Sequence, residues 1–179
     1  MVINKIIVVI LSLLFFPKIY GIGNSDISKP QQIAYEVITN FAAKKSSEGL
    51  ILCGIGGASK EGKRTGFELI FQIKQLYEVS EARKLLLKLT SEFLEDVNHN
   101  EKLRPHLSSY PYPVQNIRIA ILCNVDFSER ERYLASFSID NGWIDYAKGY
   151  ELDTGIINFD LDETYEEALK IVAASKEGK

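Results

Sequence analysis

The stretch Ser-Ile-Asp-Asn-Gly-Trp-Ile-Asp, residues 138–145, constrains the fold of this chain more than any other. Asn-Gly is the dipeptide that tolerates positive φ at both central positions of a two-residue turn, and that turn matches the twist of an antiparallel pair. Its flanks, 133–140 and 143–150, are rich in aromatic and β-branched residues, so the spacing predicts a β-hairpin. A second strand signal lies upstream at 116–125, where Ile117, Ile119, Ile121, Cys123 and Val125 share one face. Phe67, Leu69, Phe71 and Ile73 alternate in the same way, although Leu69, Ile73, Leu76 and Tyr77 also fit a helical stripe. Leu50–Ile55 reads as a further strand, and a short one is expected at 155–159.

Helical periodicity fills the intervals. Ser28 caps a helix with Pro30 in its first turn, and Ile33, Ala34, Val37, Ile38, Phe41 and Ala42 form its apolar stripe up to Gly49. A longer helix runs from Ser80 to about Val97, with Ala82, Leu85, Leu86, Leu89 and Phe93 on its buried side. Thr164 and Glu167 form a capping-box pair that opens a last helix. The predicted order is α-β-β-α-β-β-β-α: an α+β fold of mainly antiparallel sheet with three helices.

Ahead of this domain stands a different kind of segment. Lys5 is followed by the apolar run Ile6–Phe16, then by Pro17 and the small-residue stretch ending at Gly23. Charge, apolar core and small residues in that order describe a secretory signal peptide, and the run is short against the roughly 20 residues of a membrane span. We expect residues 1–23 to be removed, leaving a single domain over 24–179 and no stable membrane span. Lys5 and Lys18 leave with the peptide, so the domain is more acidic than the formal −3 of the whole chain. An acidic domain without a Lys/Arg cluster does not suit nucleic acid, where affinity comes from neutralising phosphates.

Several motifs imitate chemistry. Gly57, Gly62 and Lys63 have the spacing of a phosphate-binding loop, but Arg64 stands where a Ser/Thr hydroxyl should hold magnesium, and a strand follows instead of a helix. A glycine-rich hairpin connection explains the stretch. The run Ile156–Thr164 resembles the first motif of the haloacid-dehalogenase phosphatases, which would make Asp160 the nucleophile and Asp162 the general acid. Too little chain follows Thr164 to supply the rest of that fold, and a strand entering an acidic helix cap accounts for the same residues.

Cys53 and Cys123 both fall on apolar strand faces, and the sequence leaves open a disulfide between them or two buried thiols. His99 and His106 are the two histidines; they do not make a zinc set, and no local signature pairs His106 with a cysteine. Tyr110-Pro111-Tyr112-Pro113 offers pre-ordered aromatic surface for binding, unless both rings pack beneath the loop.

The segments EARKLLLKLTSEFL, NEKLRPHLSSYPYPVQNIRIAI and ETYEEALKIV together resemble a group of small exported proteins of chlamydia-like intracellular bacteria. That resemblance implies export and transfers no active site. No catalytic, cofactor-binding or metal-binding residue is assigned from the sequence. The expectation is a non-enzymatic binding or interaction module, periplasmic or secreted, whose partner is a protein or a small ligand. Delivery to a host cell is a third location the sequence leaves open. The alternative is a small periplasmic hydrolase using scattered carboxylates, tyrosine and His106.

Overall fold

The computed structural model describes residues 28–125, 129, 132–151 and 156–177. The signal peptide expected at 1–23 lies outside the described residues. Helix α1 (Lys29–Ser46) begins where Ser28 predicts it: the Ser28 backbone N–H and hydroxyl both donate to Gln31 Oε1, at 3.1 and 3.0 Å. Its apolar stripe is buried, and Gly49 turns the chain out of the helix at φ +86°.

Strand β1 (Ile51–Gly56) follows, then a short excursion of β2 (Ser59–Lys60) and β3 (Lys63–Arg64), then β4 (Phe67–Ile73). The glycine stretch is thus a hairpin within a hairpin. Glu61 and Gly62, both at positive φ, turn β2 into β3. β4 is a strand rather than a helix because its even positions face away from the core while Phe67, Leu69, Phe71 and Ile73 are buried.

Helix α2 (Val79–His99) then crosses over the sheet so that β5 (Ile117–Cys123) lies parallel to β4. A parallel neighbour requires such a crossover. From β5 the chain meanders through β6 (Ser136–Asp140), β7 (Trp143–Glu151) and β8 (Ile156–Thr164), each antiparallel to the last. Asn141 and Gly142 make the β6–β7 turn with φ +51° and +77°, as the hairpin signal requires. The strand expected at 155–159 is a nine-residue strand reaching Thr164. There the capping box starts helix α3 (Tyr165–Glu177): the Thr164 N–H donates to Glu167 Oε2 at 2.8 Å, and the Glu167 N–H donates to Thr164 Oγ1 at 3.2 Å.

The result is an α+β fold, a six-stranded, mainly antiparallel sheet in the order β1-β4-β5-β6-β7-β8, with helices packed on one side. Edge-to-face aromatic contacts join the layers. Phe41 of α1 lies 6.4 Å from Phe71 and 5.1 Å from Phe93 of α2, and Phe93 lies 5.5 Å from Phe67. Toward the β8 edge the core turns polar: Glu163 Oε1 accepts from Arg83 Nε at 2.7 Å and from the Tyr146 hydroxyl at 2.6 Å, with all three residues buried. Among the described residues no helix is long and apolar enough to cross a membrane.

Candidate functional site on the open sheet face

Strand alternation that sends apolar residues toward the helices sends their neighbours to the opposite face. Across five strand junctions the register aligns one row: Gly56, Glu68, Arg118, Asp140, Trp143 and Thr164. The adjacent row is Gly54, Ile70, Ala120, Ser138, Asp145 and Asp162. None of these positions is buried, which identifies this as the face of the sheet that no described helix covers.

Along the middle of the first row lies a cleft of about 240 Å³. Glu68, Arg118 and Asp140 contribute its charge. Gly57, Ala58, Thr65, Gly66, Gln115 and Asn116 complete its walls. Arg118 Nη1 sits 3.1 Å from Glu68 Oε1, a close ion pair. Its Nε is 3.9 Å from Asp140 Oδ2, too long for a hydrogen bond, and the Asp140 side chain is 58% exposed. Asp140 therefore keeps acceptor capacity open to an incoming donor. Directly opposite Asp140 on β7, Trp143 is 50% exposed. At the far corner of the same face Ile51 and Leu122 are also exposed.

The glycine stretch forms part of the cleft wall, but its basic side chains turn back on the protein. Arg64 Nη2 donates to the Gly56 carbonyl at 2.6 Å, its guanidinium stacks 4.7 Å from the centre of the Phe67 ring, and burial lowers its pKa. Lys63 Nζ donates to the Pro105 carbonyl. A Cβ at Gly57 would stand 2.2 Å from both Arg64 Nη2 and the Gly66 carbonyl, so this glycine serves close packing. The phosphate-loop geometry is absent: Lys63 starts a strand, not a helix.

Asp160 and Asp162 stand on β8, an antiparallel edge strand, not at the end of a parallel strand; the Asp160 side chain lies outside the described ones. His106 closes a 3-10 turn at Arg104–His106 and does not line the cleft, while His99 Nδ1 donates to the Glu95 carbonyl at 3.0 Å. Among the described residues no three His, Cys, Asp or Glu side chains gather as a metal site. The tyrosine–proline loop divides its roles. Tyr112 is buried 5.4 Å from Phe67, its N–H donating to Asn98 Oδ1 at 2.7 Å, while Tyr110 is exposed beneath Arg104.

Both cysteines are free thiols, as one of the two readings of the sequence has it, but they are not both buried. Cys53 is exposed at an irregularity in β1, where a β-bulge shifts the register between Leu52 and Gly54. Cys123 is half-buried on β5, and β4 runs between the two strands. Two strand spacings of about 4.8 Å hold their backbones near 10 Å apart, beyond the roughly 7 Å a disulfide can span. Burial pushes both thiols up, Cys123 to about 12, so neither is a ready thiolate.

Glu68, Arg118, Asp140 and Trp143 were not singled out by the sequence, because only strand register brings them into one row. Compared with protein families, curated proteins and solved structures, the chain matches none.

Proposed function

We propose that this is an exported, non-enzymatic binding module that engages another protein through the face of its sheet opposite the described helices. The observation that carries the reading is that face: a surface that no described helix covers, presenting an exposed indole, two exposed aliphatic side chains and a cleft on a six-stranded scaffold. Aromatic side chains of this kind supply contact area at low entropic cost and are enriched where proteins meet. The hydrolase alternative requires a nucleophile or a general base beside another titratable group at the cleft. His106 is elsewhere, both thiols are pushed toward the neutral form, and the carboxylates at the cleft are bound to or beside Arg118.

Photo-crosslinking in the organism that makes the protein tests the reading. A benzophenone amino acid in place of Leu122 or Trp143 should yield a discrete covalent adduct with a second protein. The same group in place of Ile171, exposed on helix α3, is the control. Adducts formed equally from Ile171, or from none of the positions, would overturn the proposal.

A further inference from the structure

We infer that the occupant of the cleft is a basic side chain, arginine or lysine, carried on a polypeptide segment laid across the open face. This rests on the binding reading above and adds the chemistry of the partner. Three independent features of the surface converge on a cation. The cleft itself holds two carboxylates and one guanidinium, and the guanidinium is hydrogen-bonding distance from Glu68 only. Asp140 is thus the acceptor facing outward, and its oxygens can take the N–H groups of a second cation. Beside it, on the neighbouring strand, stands the exposed Trp143 ring, the best aromatic partner for a cation within about 6 Å of its face. One row further along, Asp162 is exposed on β8, extending the acidic surface toward that edge of the sheet.

Size and surroundings select a side chain on a polypeptide over a free metabolite. A volume of about 240 Å³ lies below the roughly 300–1,000 Å³ of pockets that enclose small-molecule ligands. Beyond the cleft the same face of the sheet continues through Ile70 and Ala120 to Leu122 and Ile51. A segment with a basic residue at the cleft and apolar residues beyond it would match both ends of that path.

Trp143 is the single tryptophan of the chain, so its emission, excited where the nine tyrosines do not absorb, reports this face alone. The full-length protein is titrated with capped peptides of equal length that are arginine-rich, glutamate-rich or leucine-rich, and with spermidine. The arginine-rich peptide should produce a saturable change that weakens with added salt, and Asp140→Asn should reduce its affinity about tenfold or more, as loss of a charge-assisted hydrogen bond requires. Asp140 is exposed, so this variant should keep the wild-type circular dichroism. Glu68→Gln, which releases Arg118, should weaken the peptide as well.

Equal responses to all peptides, or an arginine response untouched by Asp140→Asn, would overturn the inference. Spermidine binding as tightly as the peptide would overturn the polypeptide assignment. A response to the leucine-rich peptide alone would refute the cation while leaving the binding face intact. Crosslinks from Leu122 and Trp143 without any peptide response separate the two in the same sense; absence of both removes the inference and the proposed function together.

Discussion

Replacing Glu163 by alanine leaves two buried polar groups facing a cavity. The Arg83 guanidinium, with only 10% of its side chain exposed, loses the carboxylate 2.7 Å away, and the fully buried Tyr146 hydroxyl loses the same oxygen at 2.6 Å. Breaking a buried pair by deleting one partner costs about 3–5 kcal/mol, because the surviving charge keeps its desolvation penalty without its compensation. Domains are held by only about 5–15 kcal/mol, so the loss is a large fraction of the total. At roughly 2–4 °C per kcal/mol for a chain of this size, the midpoint of thermal unfolding should fall by on the order of 10 °C. Urea unfolding of Glu163→Ala, followed by circular dichroism and Trp143 emission, measures the change directly. The triple variant Arg83→Met/Tyr146→Phe/Glu163→Leu should recover most of the stability, since a buried polar cluster exchanged for packed apolar groups is often neutral or better. A loss under about 1 kcal/mol in Glu163→Ala would assign this pair the energetics of a surface ion pair and refute the argument. So would a triple variant as unstable as the single one.

Gly57→Ala should destabilise the β1–β4 hairpin, because the added methyl meets the Gly66 backbone and the residue sits at φ +138°; protease nicking within 56–66 should rise in the variant. At Gly142→Ala the added methyl makes only ordinary van der Waals contact with the Gln115 side chain, but φ is +77°, so the cost should be about 1–2 kcal/mol of unfolding free energy from the left-handed backbone. Alkali should weaken the fold. Burial, and the Glu163 carboxylate next, hold the Tyr146 phenol above its ordinary value, and burial does the same for Tyr112. A pKa raised in the folded state contributes stability that is complete below the unfolded value of about 10 and is lost as pH climbs beyond it. Tyr146→Phe should flatten that decline in urea midpoints measured across the alkaline range. Oxidised, denatured protein should present two free thiols per chain; in the native state Cys53 should react with a thiol reagent well before Cys123, and a peptide linking 53 to 123 would contradict the strand order.

Much of the fold is legible locally. The Asn141-Gly142 turn, the stripe on α1, the Thr164–Glu167 cap and the alternation in β4 and β5 each arise from forces acting within a few residues, so sequence spacing reports them. Export rests on the same kind of local pattern and belongs to the proposal. The decision between strand and helix at 67–73 needed the sheet, because periodicities of two and of 3.6 residues overlap over so short a run.

What the sequence determined by itself, then, is an α+β chain, its turns and caps, and which strand positions are apolar. Only the tertiary structure decided which strands are neighbours. The crossover of α2 put β5 beside β4, and that placement separates Cys53 from Cys123 by a whole strand. It also aligns Glu68 and Arg118, which lie far apart along the chain, with the Asp140–Trp143 pair of the β6–β7 hairpin into one row on one face. Strand register is a non-local choice made by packing every apolar side chain against the helices at once, and the outward row is its consequence.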